Sequence, residues 1–355
     1  RPLEGCAEST AGRLARSESP TLTRPVVHVA LTGLAPQHGM ISYTNLGGKW
    51  GQASQLQGIP AANEDMPYHL KCMSGRLIQC VLVLYQQSPT QSRSLSSLLQ
   101  ICAGDPSIGA RLNILVQDNS PEPVAPSDEP YPCDIDFFQA PTNPGLAAAY
   151  NRAIALAKRK GIQWLLTLDQ DTVLHRYFFL QLLAALDSES PLPACAFVPE
   201  LVKDGLVLSP QIAGRVFYRR LPVGFFGFAS KPIVAFNSAA CLSIGALSAI
   251  GGYPEEYWLD YLDHIVFHRL QAAGGRVYIL NSQLSHSLSL QNMASGVSVE
   301  RYSNVLSAEW QFVRERDFGR NLFIHRLRLL KRALVHAITL KNKKFAIETL
   351  RAAIR

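Results

Sequence analysis

From Leu77 onward, short apolar runs alternate with amphipathic stretches, and this alternation leaves few folds open to the chain. Leu77–Tyr85 (LIQCVLVLY) is apolar almost throughout, the pattern of a strand buried on both faces. Leu95–Cys102 reads as a short helix, Leu112–Gln117 as a second strand and Ile135–Gln139 as a third. Leu146–Lys160 follows as a helix, with Asn143 as its expected N-cap, Pro144 at its first position and Gly161 past its end. Trp164–Leu168 is a fourth strand. Strand and helix in this order predict an α/β fold, with a mixed, mainly parallel Rossmann-like sheet flanked by helices. Ligands bind such sheets at the carboxyl ends of the strands. The second half is more mixed: Ile233–Ile244 is strand-like, Trp258–Ala273 helical, Arg276–Leu280 a strand, and the chain from Val299 is helical to its end.

Three regions are expected. Residues 1–72 are rich in Gly, Pro, Ser and Gln without a sustained period, and read as a loosely ordered extension. Residues 73–300 form the catalytic domain, with Met73 a candidate for its natural start, and 301–355 a helical appendage. Seven scattered cysteines, with no Cys-x-x-Cys pair, argue against a disulfide framework or a zinc site. Together with the lack of an apolar run of roughly 18 residues, they lead to the expectation of a cytoplasmic protein. The net charge of +7 is unevenly placed. From Arg320 to Arg355, ten Lys or Arg face the single acid Glu348, so that segment carries +9 and the remainder −2.

The sharpest chemical signal is Asp169-Gln170-Asp171, which leaves the fourth strand at the ligand-binding edge. Two carboxylates there can hold a divalent cation through hard oxygen ligands, and the cation can bridge a diphosphate. An Asp at this place can also simply cap the next helix. Asp118, after the second strand, lies on the same rim, where a carboxylate can accept from the imide NH of uracil or thymine or can serve a turn. The segment Asn143-Pro-Gly-Leu-Ala-Ala-Ala-Tyr-Asn151 opens a helix with small residues, allowing close approach either of a ligand or of the sheet. Asp260 and Asp263 are three apart, one face of a helical first turn, where acids also answer the helix dipole.

In this order the segments resemble the family-2 glycosyltransferases of GT-A fold, closest to the bacterial rhamnosyltransferases, over about Leu77 to Arg301. The resemblance implies that Asp118 contacts the base and that Asp169 lies near the ribose and the metal. It implies that Asp171 ligates Mg²⁺ or Mn²⁺, and that His286 completes the metal site. Asp263, six positions before Arg269, matches the catalytic base, and Asp260 an additional acid. The donor side accordingly draws on Asp118, Asn143, Asn151, Asp169 and Gln170. Two departures stand out: Ser-Leu-Ser follows His286 where the family has a glycine, and Gln86 and Gln87 replace a more usual Asn.

The implied reaction is inverting transfer of a sugar, L-rhamnose from dTDP-rhamnose, onto a cell-surface polysaccharide or a lipid-linked glycan. A UDP-hexose transferase and a catalytically silent nucleotide-sugar-binding scaffold are the rivals, and the intact Asp169, Asp171 and Asp263 argue against silence. His264 competes with Asp263 as base but reads as its hydrogen-bonding neighbour. Phe225, Phe226 and Phe228 suit an acceptor-side flap or a buried cluster equally. In the tail, Phe323, Leu327, Leu330, Leu334 and Ile338 recur at helical spacing among cations. Such a helix can lie peripherally on the anionic inner face of the cell membrane, or pack its stripe on the catalytic domain. No nucleic-acid-binding fold accompanies the charge.

Overall fold

A computed structural model of the chain describes residues 77–123, 130–188, 193–214, 218–286, 297–316 and 320–355. The expectation of a loosely ordered extension over 1–72 lies outside them.

The first half follows the sequence closely. Strand β1 (Ile78–Leu84) leads through a 3-10 turn (Pro89–Gln91) to helices α1 (Arg93–Gly104) and α2 (Pro106–Gly109). Then come β2 (Leu112–Asp118), β3 (Ile135–Gln139), α3 (Gly145–Arg159), β4 (Trp164–Leu168) and α4 (Arg176–Leu186). Strands β5 (Ala196–Lys203), β6 (Leu206–Ser209), β7 (Gln211–Ala213), β8 (Tyr218–Arg220), β9 (Gly227–Phe228), β10 (Ile233–Val234) and β11 (Ala240–Ser243) follow. Helices α5 (Ile244–Ala249) and α6 (Leu262–Ala272) precede β12 (Val277–Ser285), and α7 (Val299–Arg316), α8 (Arg320–Thr339) and α9 (Lys344–Ile354) end the chain.

The main sheet runs β3-β2-β1-β4-β11-β5-β12-β9, with β6 beside β5. Strands β3, β2, β1 and β4 are parallel, β11 is antiparallel to both β4 and β5, and β12 is parallel to β5. This is the mixed, mostly parallel α/β sheet expected of a GT-A architecture. Alternate residues of β1 feed opposite cores. Val81 and Val83 pack with α3, α5 and α6, whereas Cys80, Leu82 and Leu84 pack with α1 and α4. A strand buried on both faces is apolar at nearly every position, and the one buried polar side chain of β1, Gln79, is bonded to Asn113 of β2. The register sets Leu84 beside Asp118 and Leu82 beside Leu168, so β1, β2 and β4 end along one edge.

Four expectations on element boundaries need correction. Asn143 does not cap α3: Pro144 occupies the cap position, and Asn143 takes a left-handed φ of 47°, outside the extended region a capping side chain needs. The run Ile233–Ile244 is divided into β10 and β11, with Ala239 at a φ of 58° between them. Helix α6 starts at Leu262 instead of Trp258, because Tyr261 at a φ of 62° interrupts it. Asp263 is therefore in the first turn, whereas Asp260 precedes the helix, and the two do not share a helical face. Strand β12 continues past Leu280 to Ser285.

The tail is three helices. Tyr302 of α7 shares a 2.8 Å hydrogen bond with Thr349 of α9, and buried Glu309 of α7 receives two bonds from Arg332 of α8, at 2.7 and 3.0 Å. The face of α8 that packs carries His325, Leu329, Ala333 and His336. The stripe Phe323, Leu327, Leu330, Leu334 and Ile338 is exposed, which removes the reading in which it packs on the catalytic domain.

Candidate active site

The carboxyl ends of β1, β2 and β4 and the end of β12 surround one set of acids. Asp169 follows β4 directly, and one carboxylate oxygen accepts from the Ser238 hydroxyl. Asp171 stands two residues on, with its side chain about a third exposed. The turn between them is pinned from α1. The Ser94 hydroxyl donates to the backbone carbonyls of Asp169 and Thr172 and accepts from the Thr172 amide at 2.9 Å.

His286 reaches these acids through main-chain pairing. Its amide donates to the Val202 carbonyl at 3.0 Å, in continuation of the β5–β12 ladder, and Val173 N donates to Ser285 O at 3.2 Å. The buried imidazole Nδ1 lies 3.0 Å from Thr172 Oγ1 and 3.8 Å from an Asp171 oxygen. One ligand atom from each of Asp169, Asp171 and His286 lies within 4.8 Å of the others, a set that suits a divalent cation. The Thr172 hydroxyl holds the ring through Nδ1.

The electrostatics agree with a cation here. Burial raises the carboxyl of Asp169 above the usual range, opposed by the Ser238 bond and the His286 charge and reinforced by the charge of Asp263. Burial likewise raises Asp171, opposed by His286 and reinforced by Asp169. Two carboxylates made costly to ionise by burial and by each other are relieved by a bound positive ion.

Asp263 lies in the first turn of α6, and its charge adds to the rise at Asp169. One of its oxygens accepts from the His264 amide at 2.8 Å and shares a 2.6 Å contact with His264 Nδ1. His264 is thus the hydrogen-bonding neighbour expected, packed among Tyr218, Tyr261 and Phe312. Asp260 is held by Arg301 of α7 at 2.9 Å. Burial raises its carboxyl despite that guanidinium, and Asp263 adds to the rise.

The expected donor residues divide. Asp118 is buried at the end of β2, where one oxygen accepts from the Ser120 amide at 2.9 Å. Asn143, Asn151 and Gln170 all brace the frame. Asn143 O accepts from the Trp258 indole at 3.1 Å. The Asn151 amide bonds both the carbonyl (2.8 Å) and the N–H (2.9 Å) of Tyr253, clamping the loop before Asp260 to α3. Gln170 Oε1 accepts from the Tyr85 amide at 2.9 Å, joining the ends of β4 and β1.

The close approach at the start of α3 is likewise made by the chain itself. Gly145 has a φ of +87°, and a Cβ there would lie 2.4 Å from both Trp258 Cδ1 and the Trp258 carbonyl. The three phenylalanines also separate: Phe225 packs on the core, Phe226 is exposed, and Phe228 lies in β9 against Tyr278.

Sequence reasoning missed Ser238, Thr172, Ser94 and Arg301, each of which holds one of the acids or the histidine. Their only signal is a polar residue beside a charged motif or inside an apolar run.

Residues 81–225 match the family model described as glycosyl transferase family 2. No curated protein matches the chain. The matched segment contains Asp118, Asn143, Asn151, Asp169, Gln170 and Asp171, and ends before Asp260, Asp263 and His286. That match, on a sheet of GT-A order with an Asp-Asp-His cluster at its ligand edge, supports a family-2 glycosyltransferase that uses a nucleotide-sugar donor.

Proposed function

We propose that the chain is an inverting, metal-dependent glycosyltransferase that moves L-rhamnose from dTDP-rhamnose to a hydroxyl of a cell-surface polysaccharide or lipid-linked glycan. The observation that carries the reading is the gathering of Asp169, Asp171 and His286 ligand atoms within 4.8 Å. These three residues would hold Mg²⁺ or Mn²⁺, which when bound supplies positive charge to the donor's diphosphate.

The chain's own groups do the rest. Asp118 accepts from the base of the nucleotide, and Gln170, Asn143 and Asn151 keep the donor rim and the acid-bearing loop in place. Asp263 takes the proton of the acceptor hydroxyl as its oxygen attacks the anomeric carbon. The bond from that carbon to the diphosphate breaks on the opposite face, and the nucleoside diphosphate leaves. A sugar hydroxyl is a poor nucleophile at neutral pH, so such general-base help contributes roughly 10²–10⁴-fold. His264 occupies one Asp263 oxygen and leaves the other to take the proton. Asp260, tied to Arg301, serves as the accompanying acid.

The three-region division, with a catalytic domain over 73–300, is part of this proposal, as is a peripheral site of action at the inner face of the cell membrane. Nucleoside diphosphate release, measured across dTDP- and UDP-sugars with and without Mn²⁺, tests the reading. Release from dTDP-rhamnose should depend on the metal and disappear in a folded Asp171→Ala variant. Metal-independent release, or an unchanged variant, removes the metal assignment. Preference for a UDP-hexose transfers the reading to the rival donor.

A further inference from the structure

The C-terminal helices leave apolar surface uncovered between exposed cations. On α8, Phe323, Leu327, Leu330, Leu334 and Ile338 are 42–73% exposed. At about 100° per residue they fall within one narrow arc, with exposed Arg326 and Lys331 at its two edges. On α9, Ile347, Leu350 and Ile354 are 47–73% exposed and form a second stripe, beside exposed Arg351 and Arg355. The connection between the helices presents Lys341, Lys343 and Lys344 to solvent. Monomeric proteins seldom expose so much contiguous apolar surface unless something binds it.

We propose that α8 and α9 are a docking face for an anionic phospholipid surface. Their leucines and isoleucines enter the boundary between headgroups and acyl chains, and the flanking lysines and arginines meet lipid phosphates. The charge selects this occupant. Arg326, Lys331, Lys341, Lys343, Lys344, Arg351 and Arg355 are exposed along these helices and Glu348 is the one acid between Arg320 and Arg355, so a second copy on the same face would set like charges together. Anionic headgroups instead attract each nearby cation. No helix among the described residues is long and apolar enough to cross a membrane, so the contact is peripheral. The inference gives residues to the membrane contact in the proposed function and does not depend on the catalytic assignments.

The test uses the full chain and sedimentation with vesicles of phosphatidylcholine, alone or with phosphatidylglycerol. Partitioning should be at least about tenfold greater on the anionic vesicles and should weaken as salt is raised. The double variant Leu327→Gln/Leu334→Gln changes only exposed side chains. It should keep the parent melting curve and the parent rate of nucleotide release, while losing about tenfold or more in partitioning. Lys341→Gln/Lys344→Gln should lower the anionic preference and flatten its salt dependence. Equal partitioning on both vesicle types, no partitioning, or variants that bind like the parent would overturn the proposal. So would a dimer that the leucine variant dissolves, if the parent does not bind vesicles, because a second copy would then cover the face. Vesicle binding with no donor turnover would retain this inference and remove the catalytic one.

Discussion

Alanine at Gly145 should damage the acid-bearing loop from a distance. Two costs add. The φ of +87° is one that an L side chain rarely adopts, and holding alanine there costs about 1–3 kcal/mol. The new Cβ would also lie 2.4 Å from the Trp258 ring and from its carbonyl oxygen, and relieving such overpacking costs about 1–3 kcal/mol more. Leu146 N donates to that same carbonyl at 2.9 Å, so the shift strains a hydrogen bond as well. A total of about 2–6 kcal/mol corresponds to a fall in Tm of roughly 4–24 °C. Trp258 is two residues before Asp260, so turnover should drop more than metal affinity does. The assay is thermal and denaturant unfolding of Gly145→Ala, Trp258→Ala and the double variant, with metal titration of each. Removing the indole relieves part of the clash, so the double variant should lose less than the two singles combined, by about 0.5–3 kcal/mol. A Gly145→Ala variant that melts with the parent, or strictly additive losses, would refute the reasoning.

Burial raises the carboxyls of Asp169 and Asp171. The metal-free protein should therefore lose stability as pH rises from the ordinary carboxylate range through these raised values, since the unfolded chain gives up its protons first. Bound Mn²⁺ should offset the loss, with affinity falling as pH is lowered through the same window; Tm against pH with and without metal checks both. Ser238→Ala removes a bond that favours the charged Asp169, so it should move the onset of metal binding to higher pH in the same titration. Asp263→Asn should retain donor binding while turnover falls by about 10²–10⁴, and Asp260→Asn should fall less. A nearly active Asp263→Asn beside a dead Asp260→Asn would reverse the two roles.

The parallel half of the fold was legible because strands buried on both faces and amphipathic helices such as α3 leave plain patterns. Helix α4 and strand β5 were not identified. The apolar residues Phe178, Phe179, Leu180, Leu182 and Leu183 of α4 are all buried, so no polar face marks a helical period. The acids of the site were legible because Asp169 and Asp171 follow a recognisable strand. The start of α6 was not, because Tyr261 takes a backbone conformation that no glycine announces. Asn143, Asn151 and Gln170 show the same limit from the other side. Their positions match a donor-binding pattern, and the Asn143 main-chain carbonyl and the Asn151 and Gln170 side chains also hold the frame, a use that only three-dimensional partners reveal. The exposure of the α8 stripe is a further instance, since periodicity reports that an apolar face exists and not which way it turns.

Thr172 and His286 touch across 114 positions of sequence. During synthesis the two acids leave the ribosome long before the histidine does. At about 5–20 residues per second, that interval lasts roughly 6–23 s. Until β12 emerges and its end pairs with Val173, Asp169 and Asp171 stand on the rim without His286. Under the proposed metal assignment, cation capture and completion of the second half of the sheet become one event, late in translation, and a chain cut short before His286 would carry Asp169 and Asp171 alone.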